Sequence, residues 1–232
     1  LVHMRAYYFE GDEGEHVIEK DIPAGLVNDA KTYREELVAA VADHDEIIAD
    51  KYLAGQEISL GELKAATRQG VIKNELYPVL AGSALRNLGV QMVLDAVNDY
   101  LPSPLDVPQV EAHDPRQEDK KIPLAVSDEA PFVALAFKIA TDPYVGKLCF
   151  VRVYGGVLKS GSYIINSSTG NKERIGRLVR MHANHREEIT EIFAGDIAAV
   201  IGLKDTTTGN TLCDPDHQVL LESIIFPEPV IC

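Results

Sequence analysis

Leu148-Cys149-Phe150-Val151-Arg152-Val153-Tyr154, running into Gly155-Gly156-Val157-Leu158-Lys159-Ser160-Gly161, decides the fold of the second half of this chain. The first seven residues alternate as a strand does. Gly155-Gly156 is the composition of a two-residue hairpin turn, which predicts that Val157-Leu158 starts a returning strand. Working outward, Phe132 to Ile139 is strand-like. Lys159-Ser160-Gly161 turns into Tyr163-Ile164-Ile165, and Ser167 to Asn171 turns again. Arg174 to Met181 alternates and Asp196 to Ile201 is apolar. Many short strands with close turns and no long helix predict a closed antiparallel β-barrel over 123–232, since closure removes exposed sheet edges.

The first half has a different period. Met4 to Phe9, the turn Gly11-Asp12-Glu13-Gly14 and His16-Val17-Ile18 predict a hairpin that ends at Ile22-Pro23. Leu37, Val38, Val41, Ile47, Ile48 and Tyr52 recur at helical spacing and predict one long helix from about Asn28 to Leu53. Gly55 stops it. Ser59 with Glu62 three residues on is a capping box that opens a second helix. Tyr77-Pro78-Val79-Leu80-Ala81 is a short apolar strand. Val93, Leu94 and Val97 share a face of a helix from about Val90 to Tyr100. Leu101-Pro102-Ser103-Pro104 begins a linker over 103–122, kept extended by Pro108 and Pro115 and wet by Glu111, Asp114, Glu118 and Asp119.

The 232 residues are 46% apolar and 25% charged, enough to bury a core. No apolar run approaches the roughly 18 residues of a membrane span, and no leader marks the chain for export. Cys149, Cys213 and Cys232 are odd in number and lack ligand spacing, which points to a reducing, cytoplasmic protein without disulfides. Cys149, inside an apolar run, is read as a small hydrophobe. Leu1-Val2 reads as the middle of a longer chain. The net charge is −14, and residues 1–122 hold 12 Lys+Arg against 23 Asp+Glu, so the acid lies in the first half. That half repels nucleic acid and favours a basic or neutral protein partner.

Gly82-Ser83-Ala84-Leu85-Arg86-Asn87-Leu88-Gly89-Val90, between the apolar run and the helix, resembles the last guanine-binding loop of translational GTPases. With Pro78-Val79-Leu80 before it and Leu94-Asp95-Ala96-Val97 and Tyr100-Leu101-Pro102-Ser103-Pro104 after it, the stretch looks like elongation factor G. Asp142-Pro143-Tyr144-Val145-Gly146-Lys147-Leu148, Arg152 to Gly161, Met181-His182-Ala183-Asn184-His185-Arg186-Glu187-Glu188-Ile189 and Ala194-Gly195-Asp196-Ile197-Ala198-Ala199 resemble domain two of that factor. Pro227-Glu228-Pro229-Val230-Ile231 looks like the junction with its third domain. Residues 1–75 resemble the subdomain inserted in its GTPase domain.

The resemblance implies an incomplete α/β GTPase-domain remnant with an α+β insert (1–75 insert, 76–102 last strand and helix), the linker 103–122, and a β-barrel of the translation-factor type over 123–232. It implies translation elongation on the ribosome. Ser83, Ala84 and Leu85 would be guanine-loop residues. Lys159, Lys172, Arg174, Arg177, Arg180 and Arg186 would be candidates to touch small-subunit ribosomal RNA, the alternative being solvated strand charges. The acidic helix surface of Glu35, Glu36, Asp43, Asp45 and Glu46 would meet the stalk protein of the large subunit. Pro143-Tyr144-Val145-Gly146 would face the GTPase domain. GTP and magnesium are implied for the parent protein. These 232 residues hold no Gly-x-x-x-x-Gly-Lys-Ser/Thr, Asn-Lys-x-Asp or Asp-x-x-Gly with a following His, so no catalytic residue and no cofactor is assigned within them. His182 and His185 lack Cys or acidic partners at ligand spacing, and no metal is expected. If Tyr77–Ala81 is a sheet strand without neighbours, self-association is one way to cover it. The alternatives are the same piece of a ribosomal protection protein or class II release factor, or a free-standing binding module.

Overall fold

The computed structural model describes residues 1–142, 146–183 and 185–222, leaving aside the side chains of residues 118 and 119. The chain divides into two compact units, Leu1–Val107 and Pro108–Cys232. The expectations placed on residues 143–145, 184 and 227–231, and on Cys232, lie outside the described residues.

In the first unit β1 (Ala6–Glu10) and β2 (His16–Lys20) pair antiparallel, Ala6 opposite Lys20 and Glu10 opposite His16. Gly11 and Gly14, at φ +97° and +64°, make the reversal. The predicted long helix is two: α1 (Val27–Ala42) and α2 (Glu46–Leu53). Asp45 breaks it. Its backbone is extended, and its side chain accepts a hydrogen bond from the Ile48 amide at 3.0 Å. Aspartate serves a helix better as a cap than inside it. The break lets Ile48, 1% exposed, join Val38, Val41, Leu63 and Ala66 in one core. Asp45→Ala is expected to cost about 1 kcal/mol of unit stability in a denaturant titration.

The capping box opens α3 (Leu60–Ile72) as predicted: Ser59 Oγ accepts from the Glu62 amide and Glu62 returns to the Ser59 amide. Lys51 binds the same carboxylate. The Lys51 bond, then the Ser59 bonds, hold the Glu62 carboxyl down at about 2. α4 (Val90–Tyr100) is tied to α3 by Lys64–Asp99 at 2.7 Å, while Arg68 reaches the Leu101 carbonyl and Asp106. Two expectations change here. Tyr77–Ala81 pairs with no described strand, because this unit offers no strand beside it, and Tyr77 and Val79 stand 75% and 93% exposed. Residues 103–107 belong to this unit rather than to a free linker.

The rest of the expected linker also folds. β3 (Glu111–Asp114) and β4 (Gln117–Pro123) form a hairpin around Pro115, burying Ala112 completely against Leu124, Val133 and Cys213. The remaining strands of the second unit are β5 (Val133–Asp142), β6 (Gly146–Gly155), β7 (Leu158–Lys159), β8 (Tyr163–Asn166), β9 (Asn171–Arg174), β10 (Arg177–His182), β11 (His185–Ile189), β12 (Glu191–Ile192), β13 (Ile197–Ile201) and β14 (Thr211–Cys213). Eight of them make an antiparallel sheet in the order β11-β10-β13-β6-β5-β14-β8-β9. Inside it lie Ala134, Ala136, Cys149, Val151, Val153, Ile164, Leu178, Val200 and Leu212. Cys149 is fully buried, and burial pushes its thiol up to about 12, so it behaves as a hydrophobe.

Three strand expectations are corrected. Gly155-Gly156 is not a hairpin turn: β6 pairs with β5 and β13, while β7 pairs with β12. The run Arg174 to Met181 breaks at Ile175–Gly176, where a Cβ on Gly176 would sit 2.5 Å from the Ile201 carbonyl oxygen. Among the described residues the hydrogen-bond ladder does not close, and β9 and β11 are its edges. The chain itself spans the gap, since β9 runs through Ile175–Gly176 directly into β10. The Gly161 amide donates to Ile175 O and the Gly176 amide to Ile201 O. Ile175 is wholly buried in the shared interior, so the result is barrel-like.

Candidate functional site

The loop 82–89 is built by its glycines and by Asn87. A Cβ on Gly82 would meet the Leu88 carbonyl oxygen at 2.5 Å, so only glycine lets the strands of the loop close. Ser83 and Leu88 then exchange both backbone hydrogen bonds, at 2.8 and 3.0 Å. Between them Ala84–Arg86 forms one 3-10 turn, ended by Asn87 at φ +53°, a conformation Asn tolerates. Gly89, at φ +83°, releases the chain into α4. The Ala84 and Leu85 amides donate to no partner among the described residues. The Leu85 side chain is 98% exposed. The short loop thus presents two N–H groups that have no partner among the described residues, beside the exposed Leu85 side chain.

Support for this loop comes from a distant residue that the sequence marked only as part of a turn. Gly14, in the β1–β2 turn, packs on it so closely that a Cβ would lie 2.9 Å from the Arg86 carbonyl oxygen. Gln91 Nε2 donates to the Gly14 carbonyl at 3.3 Å.

The six basic candidates do not form one free strip. Lys159 pairs with Glu191 at 3.8 Å, and Arg186 with Asp142 at 2.9 Å. Lys172 lies over the Tyr163 ring at 4.8 Å. Arg180 stands opposite Glu187 in the β10–β11 register. Arg174 is exposed and, among the described residues, reaches only the Gly161 carbonyl, at 3.5 Å. Arg177, also exposed, has no ion pair or side-chain hydrogen bond among the described residues. The break at Ile175–Gly176 puts Arg174 and Arg177 on different strands flanking one crossing. His182 meets Glu187 at 3.0 Å. Among the described residues no group of three His, Cys, Asp or Glu is arranged for a metal ion. Of the acidic helix residues, Glu35, Glu36, Asp43 and Glu46 are exposed, while Asp45 is the α2 cap.

Beside that crossing lies a buried polar network that the sequence reading missed. Glu173 is only 7% exposed. Its carboxylate accepts from the Lys204 amide at 2.6 Å, the Asp205 amide at 3.1 Å and the Thr206 hydroxyl. Burial alone would raise the carboxyl. The Thr206, Asp205 and Lys204 bonds outweigh it and hold the group below the usual carboxylate range. Asn166 donates to Thr206 and Asn210, and Lys147 Nζ donates to the Lys204 and Thr206 carbonyls at 3.0 and 2.6 Å. The signal was strand parity: Glu173 shares a face with Ile175, which is interior.

Residues 146–213 match the family model of elongation factor Tu domain 2. A crystal structure of a protein from Thermus thermophilus superposes with a TM-score of 0.71 at 26% identity, over 94% of this chain and 29% of that one. The chain therefore spans less than a third of the length of that solved protein. The fold is a helix-plus-strand unit followed by an antiparallel unit that is similar, over residues 146–213, to elongation factor Tu domain 2. No described helix is long and apolar enough to cross a membrane.

Proposed function

We propose that this chain is the middle of a cytoplasmic translational GTPase of the elongation factor G type, supplying surfaces that the ribosome holds rather than the cradle that binds phosphates. The observation that carries this is the order of parts in one chain. A hairpin-and-helix unit with a Ser83-Ala84-Leu85 loop precedes a domain similar to elongation factor Tu domain 2. The likeness to one much longer solved protein runs through both. GTP and magnesium belong to the parent protein in this reading. Ser83, Ala84 and Leu85 contribute one edge of its guanine site, and the exposed acids of α1 and α2 meet a stalk protein.

Small-subunit RNA is the partner of the second unit, reached through Arg174, Arg177 and Arg180, the candidate cations that make no ion pair or ring contact among the described residues. Co-sedimentation with small ribosomal subunits tests this. Binding is expected to fall with salt, and Arg174→Ala with Arg177→Ala to lower the log–log salt slope by about 0.7 to 0.9 per lost phosphate contact. A slope unchanged by both substitutions would remove the RNA role from this surface.

The first unit leaves Tyr77, Val79, Leu85 and the α4 face of Val93, Leu94 and Val97 exposed. In the absence of a covering domain this surface is expected to drive concentration-dependent self-association, seen as a rising sedimentation coefficient. Val79→Asp is expected to reduce it without loss of helical signal.

A further inference from the structure

On the β8–β9 hairpin an exposed aromatic ring lies between cations. Ile164 is buried, so the alternation of β8 turns Tyr163 and Ile165 to the outer face. On β9 the inward residue is Glu173, and Lys172 and Arg174 share the outer face with Tyr163. Arg174 stands opposite Tyr163 in the register, and Lys172 opposite Ile165. Lys172 Nζ lies 4.8 Å from the centre of the Tyr163 ring. The ring is 55% exposed. Local charge is one-sided. From Leu158 to Arg180 the chain has five cations, Lys159, Lys172, Arg174, Arg177 and Arg180, and one acid, Glu173. That acid points inward, its carboxylate taken up by the Lys204 and Asp205 amides and the Thr206 hydroxyl. Acids of neighbouring segments stand around the hairpin: Glu191 pairs with Lys159, Glu187 lies opposite Arg180, and Asp205 accepts from Asn171 at the other end of β9. The outer face beside Tyr163 is therefore basic.

We propose that Tyr163 is a stacking platform for an unpaired RNA base, with Arg174, and Lys172 once it leaves the ring, on the phosphates beside that base. This face then selects single-stranded over duplex RNA. The inference rests on the RNA reading given above and adds to it. Cations alone grip a phosphate backbone whether it is duplex or single-stranded. A flat exposed ring adds affinity only where a base is free to leave its own stack, and every base has a face to offer it. In a duplex the bases are stacked on one another and the ring meets none. A base over Tyr163 takes the place that Lys172 occupies. Stacking of a base outweighs an exposed contact between an ammonium and a ring, so the exchange is favourable, and it frees the ammonium for a phosphate.

The test is fluorescence anisotropy of the whole 232-residue chain with three labelled probes: a single-stranded oligouridylate, an abasic ribose-phosphate chain of the same length, and an RNA duplex. The oligouridylate is expected to bind more tightly than the abasic chain. Tyr163→Ala is expected to weaken the oligouridylate about tenfold with its salt slope unchanged, and to leave the abasic chain and the duplex as they were. Tyr163→Phe, which keeps the ring, is expected to bind like the wild type. Arg174→Ala is expected instead to lower the salt slope for all three probes. Unchanged oligouridylate binding by Tyr163→Ala, an equal loss for the abasic chain or the duplex, or an equal loss in Tyr163→Phe would each overturn the inference. The RNA reading itself would survive those results if Arg174→Ala still lowered the slope. Absence of salt-dependent binding to any probe would overturn both.

Discussion

Glu173→Ala is expected to destabilise the β unit by about 3 kcal/mol, because three donors, one buried and two half-buried, lose a charged acceptor. The Lys204 and Asp205 amides and the Thr206 hydroxyl all converge on that carboxylate. The loss should spread along the network, since Thr206 is also held by Asn166 and its carbonyl by Lys147. The same carboxylate gives the unit an acid limit. Its folded pKa lies below the ordinary value of 4.5, so its stabilisation is complete above that value and disappears as pH falls through the folded one. Urea titrations followed by circular dichroism at neutral and acid pH would show the wild-type curve converging on that of Glu173→Ala as pH falls. Glu173→Gln, which keeps one acceptor oxygen, should fall between them at neutral pH.

The second large effect is at Gly156. Its φ is +70°, and a Cβ would lie 2.7 Å from the Ala130 carbonyl oxygen and from the Phe132 amide nitrogen and Cα. All three are backbone atoms and cannot rotate away. Gly156→Ala is therefore expected to cost about 3 kcal/mol, from left-handed strain and from displacement of the start of β5 together. Gly170→Ala separates the two contributions. Its φ is +76° but nothing lies within 4 Å, so it should cost only about 1 kcal/mol. Equal losses in a denaturant titration would mean that crowding at Gly156 is relieved by movement.

What the sequence disclosed was mostly local. The Ser59–Glu62 capping box and the β1–β2 hairpin needed only residues a few positions apart, and both were legible. Apolar periodicity carried the prediction of one helix straight across Asp43-His44-Asp45, although Asp45 followed by Glu46 is itself a helix-start signal. The apolar run Tyr77–Ala81 satisfied strand composition, but a strand exists only with a neighbour to pair with. Gly155-Gly156 met the composition of a hairpin turn, yet β7 found β12 more than thirty residues away, a choice made by the packing of the whole sheet. Of the candidate sites, the loop 82–89 was picked out by resemblance, and its glycines and Asn87, which fix its backbone, were not read. The six basic candidates all lie at exposed strand positions. Which of them their acidic neighbours engage depended on register, as Lys159 opposite Glu191 shows.

The most direct test of the account is GTP binding and turnover by the purified chain with magnesium. One amide-bearing loop edge, without a phosphate loop or magnesium ligands, predicts no turnover above a blank and no saturable nucleotide binding. Turnover, or a nucleotide held stoichiometrically by these 232 residues alone, would contradict it.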